Sequence, residues 1–300
     1  ADGNVIQKRD RLSYATLNQI AGEYRGSFAD DSIVLLAGAR APFFTRDLNQ
    51  YCVTTDASGN VACPATQAGI DALLAANSFY AAPQSRKITY SKLLPNLGVT
   101  YKFNDKASLF TSYAKNLSVP GTDALYGALY FDEDSSSGQP KPETSDAFDL
   151  GFRYQSGIIQ AQLSGWYTRY NNRLASAYDA DCDCTVTRNL GRVDKYGIDG
   201  SVAVRPVKDL MFYVFGSYLK SEIKDDVQTS ATAYAATAGK REAGAPTYTF
   251  GGRIQGTLGP VDLGLQVKRT GERYVNDINT VKLPGYTLVD LDARFSLAQF

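Results

Sequence analysis

The feature that most constrains this 300-residue chain is a series of strand pairs joined alternately by very short turns and by long polar connections. The pattern predicts tight turns at residues 29–31, 104–106, 156–157, 207–209 and 259–260. It predicts long loops at about 46–86, 120–144, 176–184, 224–246 and 275–285. Connections that alternate in this way are typical of antiparallel barrels in the bacterial outer membrane, whose short turns face the periplasm and whose long loops face outward.

The strands themselves alternate between apolar and polar residues. From 145 to 156, Phe148, Leu150 and Phe152 fall on one face, whereas Asp149 and Arg153 fall on the other. The same division is predicted over 159–167, 248–258, 261–268 and 289–297. A soluble β-sandwich also alternates, but many of these strands approach the ~9 to 11 residues that cross a bilayer. We therefore predict an all-β chain of about eleven strands in a transmembrane, antiparallel up-and-down β-barrel.

Two predicted strands do not show which face is polar. Around 108–114 and 210–219, bulky apolar side chains occur on both faces, so the alternation assigns no inward face there.

Composition excludes several classes of function. The 31 basic residues balance the 31 acidic ones, which gives no basic surplus for binding nucleic acid. The chain has no histidine, so every Ser–His or Cys–His catalytic arrangement is absent. Asp290 and Asp292 share a strand face, but a wet lumen does not desolvate a carboxylate pair in the way that acid–base catalysis requires. No phosphate-binding or dinucleotide motif is present, so neither an enzyme nor a cofactor is predicted.

The four cysteines fall in two pairs within predicted external loops. Cys52 and Cys63 bracket ten polar and small residues, which predicts a disulfide in an oxidising compartment. Cys182 and Cys184 have one residue between them, which leaves open a strained local disulfide, an inter-loop disulfide or a thiolate metal site. Because a structural zinc site usually needs four N or S ligands, we predict disulfides and no metal.

Candidate substrate-binding residues lie in a loop and on the polar strand faces. Tyr126, Tyr130 and Phe131 form an aromatic cluster that could stack on a sugar or a planar chelate, or could pack the loop against its neighbours. Arg153 and Arg253 face the predicted lumen, where they could guide an anionic solute or could simply belong to a polar wall.

Four stretches carry a resemblance to a known family. They are KPETSDAFDLGFR at 141–153, LPNLGVTY at 94–101 followed by 109–114, NLGRVDKYGID at 189–199 and YTLVDLDAR at 286–294. In their order along the chain they resemble the barrel of TonB-dependent outer-membrane receptors. The resemblance implies a Gram-negative outer-membrane protein that captures a small molecule with its loops and imports it when the TonB complex acts on a plug domain.

The resemblance also implies that more of the receptor exists. Such transporters close with roughly 22 strands around a plugged lumen, so eleven strands would form part of the wall. The plug and the last barrel strands are expected outside these 300 residues. A ferric siderophore or similar chelate is the first substrate predicted and an oligosaccharide the second, and a passive porin or structural barrel is the alternative function.

Overall fold

The computed structural model describes residues 9–56, 60–135, 138–179, 184–228 and 234–296, with the backbone alone at 176–179, 184–188 and 228. The elements, in chain order, are β1 (Arg11–Phe28), β2 (Ile33–Gln50), β3 (Val53–Thr54), β4 (Val61–Ala62), α1 (Gln67–Ala76), β5 (Gln84–Ser91), β6 (Leu94–Lys102), β7 (Ala107–Ser118), α2 (Thr122–Ala128), β8 (Glu143–Gln155), β9 (Ile159–Asn171), β10 (Leu174–Asp179), β11 (Cys184–Asn189), β12 (Val193–Val207), β13 (Leu210–Ile223), β14 (Val227–Gln228), β15 (Tyr234–Ala235), β16 (Tyr248–Leu258), β17 (Val261–Thr270), β18 (Arg273–Tyr274), β19 (Lys282–Leu283) and β20 (Tyr286–Phe295). No helix among the described residues is long and apolar enough to cross a bilayer.

The chain divides into two compact units. The first, here called the loop unit, comprises residues 1–22, 39–94 and 117–143, and the second, the wall unit, comprises 23–38, 95–116 and 144–300. Strands β1 and β2 contribute residues to both units.

Eleven long strands form one sheet in the order β1-β2-β6-β7-β8-β9-β12-β13-β16-β17-β20. Each long strand lies beside the next long strand of the chain, and the pairings with a printed register are antiparallel. Within the described residues β1 and β20 are the two edges, so the sheet does not close. The prediction of an antiparallel up-and-down wall of about eleven strands is confirmed.

The register separates an apolar from a polar face across the wall unit. Residues directly opposite one another in the register share a face of the sheet. The apolar face carries Leu150, Leu163 and Leu291, which are 55%, 57% and 79% exposed, respectively. The other face carries Asp199, opposite Ser164 and Ser217. An apolar face of this extent would not persist in water, but it suits contact with lipid.

Aromatic side chains cross the apolar face near the strand ends that meet the long connections, here called the outer ends. Neighbouring strands contribute Tyr113, Phe148, Tyr167, Tyr196, Tyr218 and Tyr248. The ring centroids of Tyr113 and Phe148 are 4.9 Å apart, and those of Phe148 and Tyr167 are 6.5 Å apart. Such a girdle is typical of the interface between lipid and water in membrane barrels.

The structure assigns the faces that the sequence left open. In β7, Phe110 lies on the polar face, because its ring carbon Cζ would be 2.4 Å from a Cβ added at Gly151. In β13, Phe215 lies directly opposite Gly251, and its Cζ would be 2.7 Å from a Cβ added there. Both aromatic rings occupy space that glycine leaves open on the neighbouring strand.

The loop unit has a small core of its own. Buried Leu48 and Ile88 from β2 and β5 pack with Leu125 and Leu129 from the α2 segment. The connection predicted at 46–86 is shorter than expected, because β2 continues to Gln50, where it pairs with Gln84 at the start of β5. The connection predicted at 176–184 is a β-hairpin, since β10 pairs with β11 from Leu174↔Asn189 to Asp179↔Cys184.

Candidate functional site

A buried arginine holds the segment that follows α2. The Arg86 guanidinium, 7% exposed, donates through Nη1 to the carbonyl oxygens of Ala128 at 3.0 Å and Gly138 at 3.1 Å. Its Nη2 donates to the Phe131 carbonyl oxygen at 2.9 Å. A cation that binds carbonyl oxygens at a helix C-terminus also interacts favourably with the helix dipole. Arg86 therefore fixes the course of this segment.

Tyr126 contributes to packing. It is 1% exposed, and its hydroxyl donates to the Asn49 carbonyl oxygen at 3.3 Å. The Arg11 guanidinium lies 4.3 Å from its ring centroid and pairs with Asp123. A side chain enclosed in this way offers no surface to a solute, so of the two roles that the sequence left open the structure favours packing.

Tyr130 and Phe131 are only partly buried. Their rings meet edge to face, with centroids 5.4 Å apart. Since the backbone on both sides of them is held by Arg86, the two rings are presented from a fixed segment. They remain candidate contacts for a solute.

A buried phenol fixes the end of the same segment. The Tyr90 hydroxyl donates to the Pro140 carbonyl oxygen at 2.9 Å. Burial raises the pKa of Tyr90 to about 12, although the nearby Arg46 charge acts in the opposite direction. Tyr90 therefore stays a neutral hydrogen-bond donor across the physiological range.

Sequence reasoning did not identify Arg86 or Phe79. Arg86 shares a strand face with Ile88 and Tyr90, and an arginine on an apolar face was the available signal. Phe79 follows α1 and is 77% exposed, so it adds a further accessible ring to the loop unit. Its signal was an aromatic residue within a polar connection.

A disulfide joins Cys52 and Cys63, whose Cα atoms are 4.6 Å apart. The short antiparallel pair β3 and β4 lies inside the closed segment, with Val53 opposite Ala62. Cys182 and the side chain of Cys184 lie outside the described residues, so their pairing stays a prediction. Within the described ranges no three Cys, Asp or Glu side chains are grouped so that they could hold a metal ion.

The two candidate arginines of the wall unit have different surroundings. Arg253 forms a bidentate ion pair with Asp292, with Nη1–Oδ1 and Nη2–Oδ2 distances of 2.7 and 2.9 Å. Arg153 lies 4.1 Å from the Phe110 ring centroid and donates through Nε to Gln162 Oε1 at 3.1 Å. Among the described residues no carboxylate forms a salt bridge with Arg153. Its charge is therefore available to a solute, whereas that of Arg253 is compensated.

Polar contacts join the outer connections of the wall unit. Glu242 accepts hydrogen bonds from Arg173 at 2.9 Å and pairs with Lys195 at 2.7 Å. The Asn279 carboxamide accepts from the Arg241 backbone N–H at 2.8 Å and donates to the Arg241 carbonyl oxygen at 2.8 Å. The connections after β13 and β17 are thus held together.

The fold and its two faces define the class of protein: part of the wall of an outer-membrane β-barrel. The family model described as "TonB dependent receptor-like, beta-barrel" matches residues 3–299, so the chain belongs to the TonB-dependent receptor family. Receptors of this family are transporters of the outer membrane and not enzymes, as the sequence predicts.

Solved structures of low identity share the fold. The ferric yersiniabactin uptake receptor FyuA from Yersinia pestis is similar with a TM-score of 0.63 and 16% identity, covering 95% of this chain and 39% of its own. The siderophore receptor PiuA from Acinetobacter baumannii has a TM-score of 0.68 and 16% identity, and the match covers 95% of this chain and 38% of PiuA. The copper transporter OprC has a TM-score of 0.69 and 14% identity, and the match covers 96% of this chain and 41% of OprC. The chain spans about two fifths of the length of these proteins.

Proposed function

We propose that the receptor containing this chain imports a scarce nutrient across the outer membrane, with a ferric siderophore or a similar metal chelate as its substrate. The observation that carries the proposal is the fixed segment after α2, which presents the half-buried rings of Tyr130 and Phe131 in the loop unit. Energy would come from the TonB complex acting through a plug domain.

The chemistry of each unit, taken by itself, is consistent with a chelate. Aromatic faces give a large contact area to planar ligands, and Tyr130 and Phe131 provide such faces. Arg153 provides a positive charge on the polar face of the wall, and many metal chelates are anionic. An oligosaccharide would use the same aromatic rings but would gain nothing from the cation, which is why it is the second choice.

The test is uptake by the intact receptor in cells grown under iron limitation. Uptake of radiolabelled ferric chelates is compared between cells with the receptor, cells without it and cells that lack TonB. We expect chelate uptake that requires both the receptor and TonB and that saturates as the chelate concentration rises. Saturable uptake of an oligosaccharide and of no chelate would contradict a chelate as the substrate. Passive uptake that is independent of TonB would contradict the receptor function and would favour a porin.

A variant pair connects the uptake to the proposed contacts. The double variant Tyr130→Ala, Phe131→Ala should weaken chelate binding by roughly tenfold or more, the range of an aromatic contact at the centre of an interface. Tyr126→Phe is the matched control, because it keeps the buried ring and removes only the hydroxyl that donates to Asn49. Equal affinity of the double variant and the wild type would remove these rings from the proposed site.

A further inference from the structure

The apolar face of the wall unit has a groove in its middle. Gly200 of β12 and Gly216 of β13 lie directly opposite each other on this face, where other strands carry large side chains. Leu163 of β9 lies directly opposite Gly200, and Phe250 of β16 lies directly opposite Gly216, so these two side chains border the glycines. A Cβ added at Gly216 would only reach ordinary van der Waals contact, at 3.8 and 3.9 Å, and one added at Gly200 would lie 3.4 Å from Leu163. The two glycines form the floor of a shallow apolar depression lined by Leu163, Val214 and Phe250. We call the surface over these two glycines the glycine groove.

Cations lie beyond the glycine groove on the same face, toward the outer end. Lys220 is four positions beyond Gly216 on β13, and its Nζ is 5.7 Å from the ring centroid of Tyr196. Lys220 forms no salt bridge with a carboxylate among the described residues. Arg169 donates to the Tyr167 hydroxyl through Nε at 3.2 Å and Nη2 at 3.1 Å. Both cations thus lie beside girdle tyrosines, as expected at a membrane interface.

Three ion pairs surround these cations. Asp194 accepts from Arg192 at 3.0 Å and lies 3.4 Å from Arg169, while Lys224 pairs with Glu222 at 2.5 Å. The Asp194 contact restrains Arg169 and leaves it half exposed, whereas Lys220 is exposed and has Glu222, which is already paired with Lys224, as a nearby carboxylate. The surface therefore offers positive charge to an anionic group.

The groove and the cations are separated by the depth of one lipid leaflet. Val214, at the inner end of the groove, is six positions from Lys220, or ~20 Å along the strand at ~3.3 Å per residue. A strand tilt of about 40° reduces this to ~15 Å along the membrane normal. Half of a hydrocarbon core of ~30 Å is also ~15 Å. An acyl chain in the glycine groove would place its head group beside Lys220.

We propose that this surface binds one phosphorylated glycolipid of the outer leaflet, with an acyl chain in the glycine groove and phosphates on Lys220 and Arg169. The two cations stand on strands separated by β12. Neighbouring strands are ~4.8 Å apart, so the cations are spread over ~10 Å. This width matches a head group with more than one phosphate better than a single phosphodiester. The proposal is independent of the transported substrate.

The test uses the intact receptor purified in detergent. Binding of a purified bisphosphorylated outer-leaflet glycolipid and of phosphatidylglycerol is measured by native mass spectrometry and by titration with fluorescent lipid. We expect Lys220→Gln with Arg169→Gln to weaken glycolipid binding about tenfold and to reduce its dependence on salt. Gly216→Val should weaken it independently, because the added side chain occupies the groove and its Cβ meets no atom closer than 3.8 Å.

Two matched variants serve as controls. Lys268→Gln removes a charge from the opposite, polar face, and Gly256→Val adds the same side chain on the apolar face, where its Cβ has only one neighbour, at 3.8 Å. Both should bind the glycolipid as the wild type does. Unchanged binding in the double cation variant and in Gly216→Val, or equal affinity for phosphatidylglycerol, would overturn the proposal. Resistance to unfolding in SDS shows that each variant has a folded barrel.

Discussion

At the scale of single residues, Arg86 determines whether the segment after α2 has one conformation. Its three acceptor carbonyls belong to Ala128, Phe131 and Gly138. Without the guanidinium the Ala128 oxygen would keep only the Phe131 N–H, at 3.1 Å, and the other two oxygens would lose their bond to Arg86. A buried polar group left unsatisfied costs about 1 to 3 kcal/mol. The order of this segment therefore depends in part on one side chain of a different element.

We predict that Arg86→Met exposes residues 122–140 to protease and speeds their hydrogen exchange at least tenfold, while the wall keeps its resistance to SDS. Lys87→Met is the matched control, because the neighbouring Lys87 is exposed. Hydrogen exchange followed by mass spectrometry on the intact receptor measures both effects. Unchanged protection of 122–140 in Arg86→Met would show that the core around Leu125 and Leu129 is sufficient.

The sequence indicated the aromatic cluster but not the residue that fixes it. Tyr126, Tyr130 and Phe131 were visible as neighbours in the chain. The contacts of Arg86 join residues 42 to 52 positions apart, which no local pattern encodes. For the same reason the sequence left open whether Tyr126 packs or binds, since its burial depends on β2 and β5.

At the scale of strands, alternation predicted the wall, and glycine explains where alternation failed. Strands such as β8 have a clear polar face, so their orientation follows from the chain alone. In β7 and β13 the large side chains of Phe110 and Phe215 occupy the polar face, which a rule of alternation cannot assign. The space for each ring is provided by a glycine on the next strand, and this complementarity depends on register.

We predict that Gly151→Ala lowers the temperature at which the intact receptor unfolds in SDS. The new Cβ would be 2.4 Å from Phe110 Cζ and 2.9 Å from the Leu163 carbonyl oxygen, so the ring and the backbone must move. Overpacking of this kind typically costs about 1 to 3 kcal/mol. Gly165→Ala on β9 is the matched control, because only the Gly197 carbonyl oxygen is near, at 3.9 Å. Equal unfolding temperatures for the two variants would contradict the role of the ring.

At the scale of the whole molecule, the sheet has two unpaired edges within the described residues. β1 and β20, 18 and 10 residues long, each pair on one side only. In hydrocarbon an unpaired backbone donor or acceptor costs several kcal/mol, so membrane-spanning sheets have closed edges. Related receptors are more than twice as long as this chain, and barrels of this kind close with roughly 22 strands. We therefore propose that further strands complete the wall at these edges.

We predict that residues 1–300, expressed alone and refolded in detergent, do not form a monodisperse barrel that resists SDS at moderate temperature, whereas the intact receptor does. The physical reason is the cost of the free edges of β1 and β20, which favours aggregation by strand pairing. Size-exclusion chromatography and heat-dependent mobility on SDS gels measure the outcome. A cysteine pair introduced at facing positions of β1 and β20 provides the decisive control. A monodisperse product that crosslinks through this pair would show that the eleven strands close on themselves, and would contradict their assignment to a larger wall.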